Sequence, residues 1–207
     1  MTTPSFHSYR PADGHGLAHN PLNAIVAPRP IGWIGTVSAT GVPNLAPYSF
    51  FNLFAYSPPI IGFSSSGVKD SLTNARATGV FTWNLVGRSL AEAMNATSAE
   101  VAPDVDEFAL ARLEPLASVE IAAPRVAASP VQFECRVTDI LPLRGLSGAQ
   151  SGNVMVFGEV VHIHIDPACL HEGIYRTTDA VPLARGGGPA DYYEIRPDTQ
   201  FLMKRPG

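Results

Sequence analysis

The chain predicts a mainly β fold with short helices. Its apolar runs are brief, rich in Val, Ile, Phe and Thr, and bounded by Gly, Pro, Asn or Ser, the pattern of strands joined by turns. So many short strands bury their faces most simply by closing into a barrel or a sandwich. A length of 207 residues suffices for one continuous core, and neither a repeat nor an interdomain linker divides it, so a single domain over residues 1–207 is expected.

Strands are expected near Asn23 to Ala27, Ile31 to Ser38, Asn44 to Ser49, Ile60 to Ser64, Val80 to Val86, Val131 to Leu143 and Val154 to Ile165. Ala39-Thr40-Gly41-Val42-Pro43 reads as a hairpin loop, with Gly41 free to take a positive φ. Asp70 or Ser71 can cap a helix that runs through Leu72 and Ala75 and ends by Gly79. Ser89-Leu90-Ala91-Glu92 has the spacing of a capping box leading into Ala93 and Met94, and Asp104 with Glu107 has it again before Phe108. Ala122 to Pro130 and Arg185 to Pro189 read as loops. These helices are too short to make a layer of their own.

Composition narrows the function classes. A net charge of −4 supplies no basic field for nucleic acid or an anionic membrane. Charged residues are only 15% of the chain, below the roughly 25% usual in soluble domains, so a subunit interface is the simplest cover for part of the surface. Cys135 and Cys169 fit no metal or redox spacing, and Cys135 reads as a small buried filler. The N-terminus, MTTPSFHSYRPADGHG, lacks a charged segment followed by an apolar one, and no run of about 18 apolar residues occurs. A soluble cytoplasmic protein is expected.

The chemistry concentrates between Ala27 and Asn84. Ser64, Ser65 and Ser66 follow the apolar run Pro59 to Phe63, and Lys69, Asp70 and Ser71 stand at a helix start, with Asn74 one turn on. Hydroxyls, an ammonium and free N–H groups are the donors a phosphate uses; the plain alternative is a polar loop with an N-cap. The segment Ala46-Pro47-Tyr48-Ser49-Phe50-Phe51-Asn52 is dense in aromatics broken by small polar groups, suiting either a flat ligand or the core. Trp33 is assigned to the core. Arg29, between Pro28 and Pro30, is pre-positioned for an anionic ring edge or a surface salt bridge. Asn84 suits a strand end or a turn. His162 and His164 share a strand face without further metal ligands at suitable spacing, so a solvated or interface face is expected. Asp104, Asp106 and Glu107 form an acidic loop where carboxylates favour the helix dipole.

In this order, the APRPIGW, APYSFFN, FSSS and KDS segments resemble the flavin reductase-like family of FMN-binding split barrels, from about Leu22 to Tyr193. The resemblance implies a six-stranded split barrel of Greek-key type and a homodimer with flavin at the subunit interface. It implies that Ser64, Ser65, Lys69, Asp70 and Ser71, with Ser66 and Asn74, hold the phosphate, and that the backbone from Tyr48 to Asn52 lines the ring. The activity implied is FMN reduction by NADH or NADPH, with electrons passed to a monooxygenase or another acceptor. No side-chain acid or base is needed, because hydride passes to flavin N5. The Asn153-to-Val160 strand and the Arg185-Gly186-Gly187-Gly188 segment with Tyr192 match the family's nicotinamide side and C-terminal cover. Asn153 departs from the histidine usual in the two-component reductase branch, which keeps two other readings open: an electron carrier with tightly held FMN, and a flavin-binding module without turnover.

Overall fold

A computed structural model describes residues 5–206. The leader-free reading of the N-terminus rests in part on residues 1–4, outside the described residues. Strand β1 (Arg29–Pro30) precedes β2 (Gly32–Val37), β3 (Pro43–Tyr48), β4 (Phe51–Tyr56), β5 (Pro59–Ser66) and β6 (Val80–Asn84). Short β7 (Pro115–Leu116) and β8 (Arg125–Val126) lead to the long β9 (Val131–Arg144) and β10 (Gln150–Ile165). The chain closes with β11 (Leu170–His171), β12 (Ile174–Tyr175), β13 (Leu183–Arg185) and β14 (Tyr192–Glu194). Four short α-helices interrupt them: α1 (Leu22–Ile25), α2 (Asp70–Thr78), α3 (Ala91–Ala96) and α4 (Glu107–Leu110).

The main sheet has seven strands in the order β3-β2-β6-β9-β10-β5-β4, one more than the six expected. Its two edge strands, β3 and β4, are consecutive in the chain and separated only by Ser49 and Phe50. Two edges joined by so short a link can coexist only if the sheet curls until they nearly meet. The sheet stays unclosed there, with no β3–β4 pairing, and a hydrogen bond from Ser64 N to Phe50 O (2.8 Å) ties the corner to β5. The result is a split barrel. A smaller sheet, β1-β13-β14, brings Arg29 opposite Arg185.

Inside the curl, Ile34, Phe63, Leu72, Phe81, Cys135 and Val156 are buried together. A second cluster joins Trp33, Leu45, Met94, Phe108 and Val126 under the helices. Burial of each such large side chain contributes about 1.5–3 kcal/mol. Trp33 is fully buried and donates from Nε1 to Thr97 Oγ1 (3.0 Å), so it belongs to the core as expected. Gly41 adopts φ 89° in the β2–β3 hairpin, the left-handed conformation the loop requires.

Four local expectations are corrected. Residues 23–27 form no strand: Asn20 Oδ1 accepts from Leu22 N (3.1 Å) and starts α1, whose exposed residues have no sheet to join. Phe51–Tyr56 is a strand that the aromatic density had masked, and it pairs with β5 while leaving Leu53, Phe54 and Tyr56 exposed. The N-cap of α2 is Lys69, and no side chain caps it, since the Ser71 hydroxyl donates to Asn44 instead. Before Phe108 the cap is Asp106, whose Oδ1 accepts from Phe108 N (2.8 Å), and the Ser89 box makes no side-chain cap bond. Gly79 ends α2 in the left-handed conformation, as expected.

Candidate functional site

A cleft of about 620 Å³ opens where the end of β3, the end of β5 and the start of α2 converge. Tyr48, Ser49, Phe50, Ser64, Ser66, Lys69, Asp70 and Ser71 all line it. Strand alternation explains which serines take part: Ser64 and Ser66 face the cleft, and Ser65 turns inward, fully buried, donating to Gly67 O (2.9 Å). Asn74 likewise points away, donating to Thr36 Oγ1 (3.2 Å). Of the seven residues expected at the phosphate, Ser64, Ser66, Lys69, Asp70 and Ser71 line the cleft, and Ser65 and Asn74 do not.

The first turn of α2 is left open. The first four N–H groups at a helix start lack intrahelical partners, and here no side chain caps them. Lys69 is exposed, and its ammonium makes no ion pair or hydrogen bond among the described residues. The cleft thus gathers an unengaged ammonium, an uncapped helix start and the hydroxyls of Ser64 and Ser66.

Behind these donors lies a buried polar relay that sequence reading missed. Glu107 Oε2 accepts from Asn44 Nδ2 (2.9 Å) and Leu45 N (3.1 Å), and Asn44 Oδ1 accepts from Ser71 Oγ (3.1 Å) and Thr36 Oγ1 (3.2 Å). Glu107 reads locally as a helix-start residue and Asn44 as the edge of a strand. Only the fold brings them together, and no short-range signal marks the pair. The Tyr48 phenol is buried without a hydrogen-bond partner among the described residues. Burial pushes its pKa up, and the nearby Ser71 and Ser65 hydroxyls oppose that shift without meeting hydrogen-bond geometry, so Tyr48 stays protonated at physiological pH.

Phe50 is shared with a second cavity of about 580 Å³, lined also by Arg29, Phe51, Asn52 and Met155. Phe50 is half exposed, whereas Phe51 is buried and stacks on Trp83 with centroids 5.6 Å apart. Arg29 lies over the Phe50 ring at 5.7 Å and has no carboxylate partner among the described residues, so no salt bridge forms there. Its guanidinium donates to the carbonyls of Asn23 (2.6 Å), Val26, Ser49 (3.2 Å) and Gly186 (3.1 Å). Arg29 therefore pins three segments together around Phe50. A side chain at Gly187 would collide with the Ala24 backbone, so the triple-glycine segment can lie against α1 only because it is glycine.

Asn153 pairs with Ser66 across β10 and β5, and its Nδ2 donates to Ser64 Oγ (3.3 Å). Arg185 stacks on Tyr192 (4.8 Å) and donates to the carbonyls of Asp191 and Pro189, holding its own loop. Asn84 is a buried strand end, its Nδ2 donating to Trp33 O and its Oδ1 accepting from Val126 N. His162 and His164 stack with centroids 4.5 Å apart, and His164 Nε2 reaches Glu134 at 2.7 Å. His164 is thus a partner of a buried carboxylate and not only a surface group. Among the described residues no group of three or more His, Cys, Asp or Glu is placed to hold a metal. No helix among them is long and apolar enough to cross a membrane.

Comparison with known proteins agrees with this architecture. The family model described as flavin reductase like domain matches residues 26–183. The chain is 34% identical over 170 residues to an uncharacterised protein of Aquifex aeolicus, covering 79% of this chain and 83% of that one. Its fold is similar to that of nitrilotriacetate monooxygenase component B from Bacillus cereus, with a TM-score of 0.82, 28% identity and 98% of each chain covered. It is also similar to 2-nitrobenzoate 2-nitroreductase from Pseudomonas fluorescens, with a TM-score of 0.78, 26% identity and coverage of 89% and 88%.

Proposed function

Because the chain belongs to the flavin reductase like domain family, we propose that it is an FMN-binding oxidoreductase that takes two electrons from NADH or NADPH. The observation that carries the cofactor is the cleft at the start of α2, with an unengaged Lys69, an uncapped helix start and an unpartnered Tyr48 phenol on its walls. Lys69 and the uncapped helix start fit a phosphate monoester. Lys69, Ser64 and Ser66 would hold the phosphate, and the backbone from Tyr48 to Asn52 would line the ring toward the second cavity. Arg29, fixed by four carbonyls, sets a positive charge beside that wall, where it favours an anionic ring edge.

When bound, the flavin would supply the two-electron chemistry. The chain's own work is to hold the cofactor, to exclude water and to keep a nicotinamide in contact with the ring. Asn153 and the Arg185-to-Gly188 segment would border that nicotinamide. By analogy with nitrilotriacetate monooxygenase component B, the electrons would pass to a monooxygenase partner in the cytoplasm.

Purified FMN-loaded protein, mixed anaerobically with NADH or NADPH, should lose its visible flavin band within minutes. Asn153→Ala should slow that bleaching severalfold without releasing FMN. If dithionite bleaches the flavin and neither nicotinamide does, the chain is an electron carrier. One observation favours that second reading: the Asn153 amide already spends one of its hydrogens on Ser64 Oγ.

A homodimer is part of the same proposal. Leu53, Phe54 and Tyr56 on β4 are exposed together with Leu141 and Ile163 on the long strands, and a second subunit would cover them. Sedimentation should give twice the 22.0 kDa chain mass. A flavin-loaded monomer at micromolar concentration would refute it.

A further inference from the structure

We propose that Glu107, acting through Asn44, makes one wall of the first cleft a hydrogen-bond acceptor, so that this wall reads hydroxyl or N–H donors on the ligand and not its phosphate. The inference rests on the FMN reading above and divides that site into two ends of opposite character.

Glu107, Asn44, Ser71 and Thr36 are all at least 94% buried, so each hydrogen in the relay has a defined destination. Glu107 Oε2 takes two donors, the Leu45 N–H and the Asn44 amide, and this fixes which way Asn44 faces, because its carbonyl oxygen cannot be set against a carboxylate oxygen. Asn44 Oδ1 is thereby turned to Ser71 and Thr36 and draws the hydrogen of each. Thr36 is confirmed in that role by Asn74, which donates to its oxygen from the other side. Ser71 has one hydrogen and it is spent on Asn44. What Ser71 turns to the cleft is lone pairs.

The Tyr48 phenol follows the same polarity. Its two hydroxyl neighbours have both committed their hydrogens, Ser71 to Asn44 and Ser65 to Gly67 O. Neither can donate to Tyr48, whose oxygen meets no hydrogen-bond partner among the described residues, so its lone pairs stay unclaimed. Glu107 lines the same cleft, and its Oε1 carries no hydrogen bond among the described residues. Three acceptors thus line the same cleft as the donors Lys69 and Ser66. A ligand that satisfies both carries a phosphate at one end and hydroxyl or N–H donors beside it. Ser71, read from sequence as a phosphate donor, is reassigned by this polarity. Glu107 is a positioning residue in the scheme.

Fluorescence titration with FMN and with riboflavin separates the two ends, since the ligands differ at the phosphate. Ser71→Ala should weaken both by the same factor, roughly three- to tenfold. Glu107→Ala should do the same, and the double variant should lose no more than the weaker-binding single variant, because Glu107 acts through Ser71. Glu107→Gln, whose carbonyl can take the place of Oε2, should restore binding. Tyr48→Phe keeps the ring in the core and tests the wall if Glu107→Ala does not fold; it too should weaken both flavins equally. Selective loss of FMN in Ser71→Ala or Tyr48→Phe, or strict additivity of Glu107 and Ser71, overturns the proposal and leaves the FMN reading standing. A wild-type protein that binds neither flavin overturns the FMN reading and this one with it.

Discussion

Glu134→Ala should lower the stability of the fold by about 3–5 kcal/mol, the cost of removing one partner from a buried ion pair. For a chain of this size that corresponds to a fall in Tm of roughly 6–20 °C, read by calorimetry. Glu134 is fully buried and accepts from Val119 N (2.9 Å), Glu120 N (2.7 Å) and His164 Nε2 (2.7 Å), with Arg125 Nε at 3.6 Å. Truncation strands all four groups. Arg125 is itself buried and keeps Gln132 Oε1 (2.5 Å) and Ala117 O (2.8 Å), but the loop loses the tie of its Val119 and Glu120 N–H groups to β9. A loss below about 1 kcal/mol would show that water or a rearranged Arg125 replaces the carboxylate.

The same group makes stability depend on acid. Burial works against the Glu134 charge, but the hydrogen bonds from Val119, His164 and Glu120 outweigh it and hold the pKa below the usual carboxylate range. A depressed carboxylate stabilises the fold fully above its unfolded pKa of about 4.3 and loses that contribution as pH falls through the folded value. The difference in stability between wild type and Glu134→Gln should therefore be constant near neutrality and shrink only below about pH 4.

Lys69→Ala should weaken FMN by roughly ten- to 150-fold and leave riboflavin nearly unchanged. A hydrogen bond to a charged group contributes about 1.5–3 kcal/mol, and the exposure of Lys69 puts the expectation toward the lower end. The effect should diminish with added salt, since an exposed charge is screened. Equal loss for both flavins would remove the phosphate role from Lys69 and move it to the uncapped start of α2. Together with Ser71→Ala, which is expected to affect both ligands alike, this substitution maps the donor and acceptor ends of one cleft.

Local pattern carried a large share of this protein. The strands β2, β3, β5, β6, β9 and β10, the Gly41 hairpin and helix α2 with its Gly79 stop are each written in fewer than about 18 consecutive residues, the span over which period and turn chemistry act. The serine and lysine cluster was legible for the same reason, since Ser64, Ser66 and Lys69 come to the cleft along one strand and one turn. The choice among neighbours was not legible. Ser65 and Ser71 differ from Ser64 and Ser66 only in which partner the fold offers, Gly67 O and Asn44 Oδ1. Arg29 found carbonyls from three segments in place of a carboxylate, and Glu107 met Asn44 across 63 residues of chain. These contacts exist because two sheet edges joined by Ser49 and Phe50 force the sheet to curl, and curling depends on all seven strands at once. Residue type and spacing thus determined that a set of hydrogen-bond donors would gather at the start of α2. The curling of the sheet decided which of those groups still have a hydrogen to give.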